Sequence, residues 1–140
     1  GTENSGFTVF VQGDRLVVDY NAFDDHAVAE STVEIPHGPA VLTARVRVGR
    51  ARAGRIDLVV NGEEAGGVDV PQLVFMFSSV GASVGYDHGS PVSTRYDSPF
   101  PFSGTLHEVV VQVHDAPPSA EDDAEAAARE AEALAAMARQ

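Results

Sequence analysis

Two dipeptides do most to limit what this chain can fold into. Gly13-Asp14 and Asn61-Gly62 each separate two runs rich in β-branched or aromatic residues. A two-residue break of this kind joins antiparallel strands, because its backbone twist matches theirs. Phe7–Gln12 and Arg15–Tyr20 therefore read as one hairpin, and Ile56–Val60 and Ala65–Val70 as another. Val41–Val48 alternates strictly, with Val41, Thr43, Arg45 and Arg47 on one side and Leu42, Ala44, Val46 and Val48 on the other. That is the period of a half-buried strand.

Val28–Ile35, Leu73–Phe77, Ala82–Tyr86 and Thr105–Val113 add further short candidates, and Phe7, Phe10, Phe75 and Phe77 read as core. About nine strands at roughly 8–12-residue spacing, with no helix between them, predict an all-β, antiparallel two-sheet sandwich of concanavalin or laminin-G type. Composition changes at Pro117-Pro118. We therefore divide the chain into a β-sandwich over 1–115 and an Ala/Glu-rich C-terminal α-helix over 116–140. Ser119 is placed to cap that helix with Asp122 three residues on, and Leu134 and Met137 share one thin face.

The bulk properties exclude several classes of function. The 140 residues carry a net charge of −12, which opposes nucleic acid and anionic membrane surfaces as partners. No apolar run approaches the roughly 18 residues that cross a bilayer. There is no Cys, hence no disulfide, thiolate metal site or Cys nucleophile. The absent Cys and the lack of a signal-peptide pattern favour the cytoplasm, and the opening Gly1 suits a processed product or a fragment.

Three segments carry a family resemblance. The first is Gly6-Phe7-Thr8-Val9-Phe10-Val11 with Gly13 to Asn21, and the second is Leu58 to Glu63. The third, and the most specific, runs from Val80-Gly81 through Val84-Gly85-Tyr86-Asp87-His88-Gly89-Ser90-Pro91-Val92 to Pro99-Phe100-Pro101-Phe102-Ser103-Gly104-Thr105-Leu106. In this order they resemble the C-terminal domain of bacterial formylglycine-dependent arylsulfatases, over about residues 6 to 113. The resemblance implies an accessory domain. The family's nucleophile, in a Cys/Ser-x-Pro-x-Arg motif, and its calcium ion belong to a separate N-terminal catalytic domain. Ser90-Pro91-Val92-Ser93-Thr94-Arg95 misses that motif's spacing, so no catalytic residue and no cofactor is expected in this chain.

The residues themselves offer a few candidate sites. Tyr86, Asp87 and His88 lie in a Gly- and Pro-rich connection, where Asp and His can ligate a metal or exchange a proton, or simply bond to backbone in a long turn. Asp24-Asp25-His26 offers two carboxylates and an imidazole to a cation, or a solvated loop. His37, His107 and His114 have no partner at a ligand spacing, and no metal site is expected.

Five of nine arginines, Arg45, Arg47, Arg50, Arg52 and Arg55, fall within eleven residues of an acidic chain. They form either a basic patch for an acidic partner surface or a sulfate ester, or an outer face neutralised by nearby carboxylates. Phe100 and Phe102 are candidates for docking onto another domain. The expected partner is a sulfatase-type catalytic domain or another protein surface; the alternative is a free-standing carbohydrate-binding module with a glycan as ligand.

Overall fold

A computed structural model describes residues 1–74, 80–113, 120–137 and 139. Six strands form two antiparallel sheets. β1 (Ser5–Gln12), β2 (Arg15–Ala22) and β3 (Asp25–Glu30) make one; β4 (Leu42–Val48), β5 (Gly54–Val60) and β6 (Glu63–Val70) make the other, each with its strands in sequence order. A helix, α1, spans Ala120–Met137.

The turns behave as their residues dictate. Gly13 and Asp14 have φ of 58° and 60°, and Asn61 and Gly62 have 51° and 85°. These are the left-handed values that a two-residue turn between twisted strands requires and that Gly, Asn and Asp tolerate best. Pairing then follows without slippage in the first sheet, from Phe7 opposite Tyr20 to Gln12 opposite Arg15.

Both sheets turn their alternate apolar residues toward one core. Leu16, Val18 and Tyr20 of β2, Ala29 of β3, Ile56, Leu58 and Val60 of β5, and Ala65 and Val70 of β6 form a single buried cluster. Each large aliphatic among them contributes about 1.5–3 kcal/mol by leaving water. The Tyr20 hydroxyl reaches the edge of the cluster, where it accepts the Val74 N–H at 2.8 Å.

A bulge joins the sheets along one side. Asp57 faces Gly67 while Val59 faces Glu64, so Ala65 and Gly66 together oppose Leu58. Gly66 takes φ of 104°, open only to glycine at low cost. The Ala65 carbonyl accepts the Thr32 N–H at 2.8 Å, a backbone bond from just past β3 to β6.

The same junction corrects the expected third strand. It spans Asp25–Glu30 rather than Val28–Ile35. Ser31 still pairs with Leu16 through its N–H, but its hydroxyl accepts the Leu16 N–H at 3.1 Å and donates to the Val33 carbonyl at 2.7 Å. The chain then leaves one sheet for the other, so the ladder cannot continue.

Further expectations need correcting: six strands and not about nine are present among the described residues. Ala82–Tyr86 is not a strand: Gly85 sits at φ of 83° and breaks the extended run. Thr105–Val113 is exposed and lies in no strand, since β propensity alone forms no ladder until a neighbour's backbone groups are met. Phe7 is 41% exposed rather than buried in the core, unlike Phe10. Leu73 and Val74 are not in a strand. Phe75 and Phe77 lie outside the described residues, as do His114, Pro117-Pro118 and the expected cap Ser119.

Candidate functional site

The arginine cluster is held on the outer face of the second sheet. Antiparallel register puts Arg45 opposite Asp57 and Arg47 opposite Arg55, with Asp69 across from Arg55 on β6. Asp57 is buried between two guanidiniums: its Oδ1 accepts Arg55 Nε at 2.6 Å and its Oδ2 accepts Arg47 Nη1 at 2.9 Å. Arg55 also bonds Asp69 at 2.8 Å, and Arg45 bonds Glu64 at 3.0 Å. Bonds to Asp69 first, then to Asp57, raise the Arg55 pKa further above its ordinary value.

Gly67 makes the clamp possible, since a Cβ there would stand 2.9 Å from Asp57 Oδ1 and collide with the Ile56 carbonyl oxygen. Arg50 and Arg52 lie beyond β4 in an exposed 3-10 turn, Arg50–Arg52, whose Ala51 and Arg52 have φ of 53° and 65°. Arg47, Val48, Gly49, Ala53, Gly54 and Arg55 line an open depression of about 230 Å³. Three of the five arginines thus meet three carboxylates, Asp57, Glu64 and Asp69. The arrangement suits a planar anion or an acidic surface at the rim, since a guanidinium carries five donors and the bonds described use only some.

The second candidate resolves into a fastening. Asp87 turns inward, where its Oδ2 accepts the Tyr96 hydroxyl at 2.5 Å and the Val92 N–H at 3.2 Å. Thr8 of β1 lies 3.2 Å from the same Tyr96 oxygen. Tyr96 is buried against Phe10, edge-on at 4.9 Å, and stacks on Phe100 at 4.5 Å. Burial, then the carboxylate of Asp87, raises its phenol from 10.0 to about 12. Phe102 N–H donates to the Gly85 carbonyl at 2.7 Å, closing the loop on itself. Asn21 Nδ2 holds the Val92 carbonyl at 3.1 Å from below.

Residues 85–102 therefore fold over the outer face of the first sheet. Tyr86 and His88 remain exposed, edge to face at 6.1 Å, and the structure does not bring His88 to Asp87 as co-ligands. Phe100 spends its ring on Tyr96 and Phe10, while Phe102 stays exposed.

Sequence reasoning missed one polar pair. Asp19 on β2 is fully buried, and His26 Nδ1 lies 2.9 Å and 3.0 Å from its two oxygens. Asp24 stands at 4.0 Å from His26 Nε2, and its own N–H donates to Asn21 Oδ1. Asp19 and Asn21 alternate with Val18 and Tyr20 along β2 and so lie on the face away from the shared core. No local signal announced that residues 85–102 would cover them. Among the described residues, no group of three or more His, Asp or Glu side chains is placed to hold a metal ion. No described helix is long and apolar enough to cross a membrane.

No family model matches the chain, and comparison with curated proteins and with solved structures finds no match.

Proposed function

We propose that this chain is a non-catalytic accessory domain of an arylsulfatase-like sulfuric ester hydrolase, a two-sheet sandwich of concanavalin or laminin-G type. It packs on a catalytic domain carried by other sequence and shapes access to it. One observation carries this reading: the most specific of the three resembling segments spends its polar residues on architecture. Asp87 is bonded to Tyr96 and Val92, Ser90 Oγ accepts the Glu3 N–H, and Ser98 Oγ donates to the Asp87 carbonyl. A string so used preserves a surface. The exposed Phe102 is what that surface offers to a neighbouring domain, while the cationic rim of Arg47 and Arg55 lies on the outer face of the other sheet.

The test is the native product and its reading frame. A product several times larger than 14.7 kDa, with Cys/Ser-x-Pro-x-Arg upstream, is the expected result. In that protein Phe102→Asp lowers the thermal midpoint by loosening the docked face. A product of 14.7 kDa, or a midpoint unmoved by Phe102→Asp, overturns the reading.

A further inference from the structure

β1 is an edge strand. It pairs with β2 over Ser5–Gln12; on its other side Thr2 bonds both backbone groups of Ser5, and no described strand lies along the rest. Phe7, Val9 and Val11 are on its core side, since their partners Tyr20, Val18 and Leu16 include the middle of the shared core. Yet Phe7 is 41% exposed and Val9 43%. On the core side of β4, Val46 is 45% and Val48 68% exposed. Among the described residues, the two sheets are thus joined where β3 meets β6 and no strand covers them along β1 and β4. A bare strand edge with an apolar flank is a template for one more strand.

The chain carries a strand to fit it. Thr105–Val113 has nine residues against the eight of β1, with Val109, Val111 and Val113 at alternate positions. It bonds to no described residue, and Val111 and Val113 are 81% and 85% exposed. It also departs from beside the edge in question. The Phe100 ring lies 5.8 Å from that of Phe10, near the end of β1. From there Thr105 is within about 17 Å along an extended chain.

We propose that the free edge of β1 is a strand-binding site whose occupant is Thr105–Val113 of the same chain. The segment enters near Phe10 and runs toward Phe7, antiparallel to β1 and short of Ser5, whose edge groups Thr2 holds. Val109, Val111 and Val113 then flank Phe7 and Val9 on the core side, and both rows leave water together. The tether supplies an effective concentration on the order of millimolar. The charge of −12 on every copy opposes the alternative, exchange of the segment between two molecules.

Hydrogen exchange read by mass spectrometry on the full 140-residue chain tests this. Amides of 109–113 exchange about 100-fold slower than in an unstructured peptide, equally at low and high protein concentration. Val111→Pro, which removes a ladder N–H, abolishes that protection and weakens it in Ser5–Gln12 while leaving β5 protected. Val111→Ser keeps the N–H and gives a milder loss, about tenfold, so a variant that still folds is at hand. Exchange at unstructured rates across 105–113 in the unaltered chain overturns the proposal. Protection that appears only at high concentration, together with a dimer in sedimentation, overturns it equally.

Discussion

Replacing Tyr96 by Phe isolates the fastening of residues 85–102. The ring contacts with Phe10 and Phe100 survive, and only the hydroxyl is lost from its 2.5 Å bond to Asp87. A buried hydrogen bond to a charged group is worth about 1.5–3 kcal/mol. Asp87 keeps the Val92 N–H, so the cost of Tyr96→Phe falls in the lower part of that range. Asp87→Asn in the same background separates the bond from its surroundings, and the pair should show a coupling of about 1–2 kcal/mol.

The alkaline limb gives a second reading of the same bond. The Tyr96 phenol is raised from 10.0 to about 12 in the folded chain, so its contribution is complete below pH 10. Above that the unfolded chain ionises first, and the advantage of the native chain over Tyr96→Phe declines until about pH 12. Two pH units at ~1.4 kcal/mol each set an upper bound near 2.7 kcal/mol. Water at the loop's rim screens part of it, leaving about 1–2 kcal/mol. Urea titrations followed by far-ultraviolet circular dichroism at pH 8 and at pH 11 measure both quantities. Additive single variants within about 0.5 kcal/mol, or a Tyr96→Phe deficit unchanged at pH 11, would refute the reasoning.

Other substitutions probe the rest of the fold. His26→Ala leaves the buried Asp19 without its imidazole and should cost about 3–5 kcal/mol in a urea titration, far more than His37→Ala in an exposed turn. Gly67→Ala drives a Cβ into the Ile56 carbonyl, and a backbone shift of that kind should cost roughly 1–3 kcal/mol. The same change disturbs the Asp57 clamp, so Arg47 and Arg55 resonances should move in NMR spectra. Leu58→Ala empties the middle of the shared core and should cost about 2–5 kcal/mol; a smaller loss would mean that the sheets close over the gap.

The hairpins were legible because their signals are local. Gly13-Asp14 and Asn61-Gly62 need only themselves and the alternation beside them to define a turn and a register. The placing of Arg45 and Arg47 on one face was legible for the same reason, while Arg55 joins them only through the register of β4 with β5. What escaped depends on contacts far along the chain. Asp19 and Asn21 sit in a strand whose second face is covered by residues 70 or more positions away, and alternation cannot announce a cover. The reach of Asp57 into the arginines required knowing that Gly67 stands opposite, which the bulge at Gly66 decides. Ala82–Tyr86 has the alternation of a strand, but a positive φ at Gly85 ends it.

The bond from Thr32 to the Ala65 carbonyl has a mechanical consequence. Fastened on the β3–β6 side and loose on the other, the two sheets resemble the covers of a book, with this bond in the spine. Motion that parts them is a rotation about the spine rather than a separation of parallel plates. Lever arms are longest at β1 and β4, so thermal excursions are largest at the fore-edge and smallest at Glu30, Thr32 and Ala65. Any ligand or segment that enters between the covers does so from the fore-edge, and whatever fills it stops the hinge.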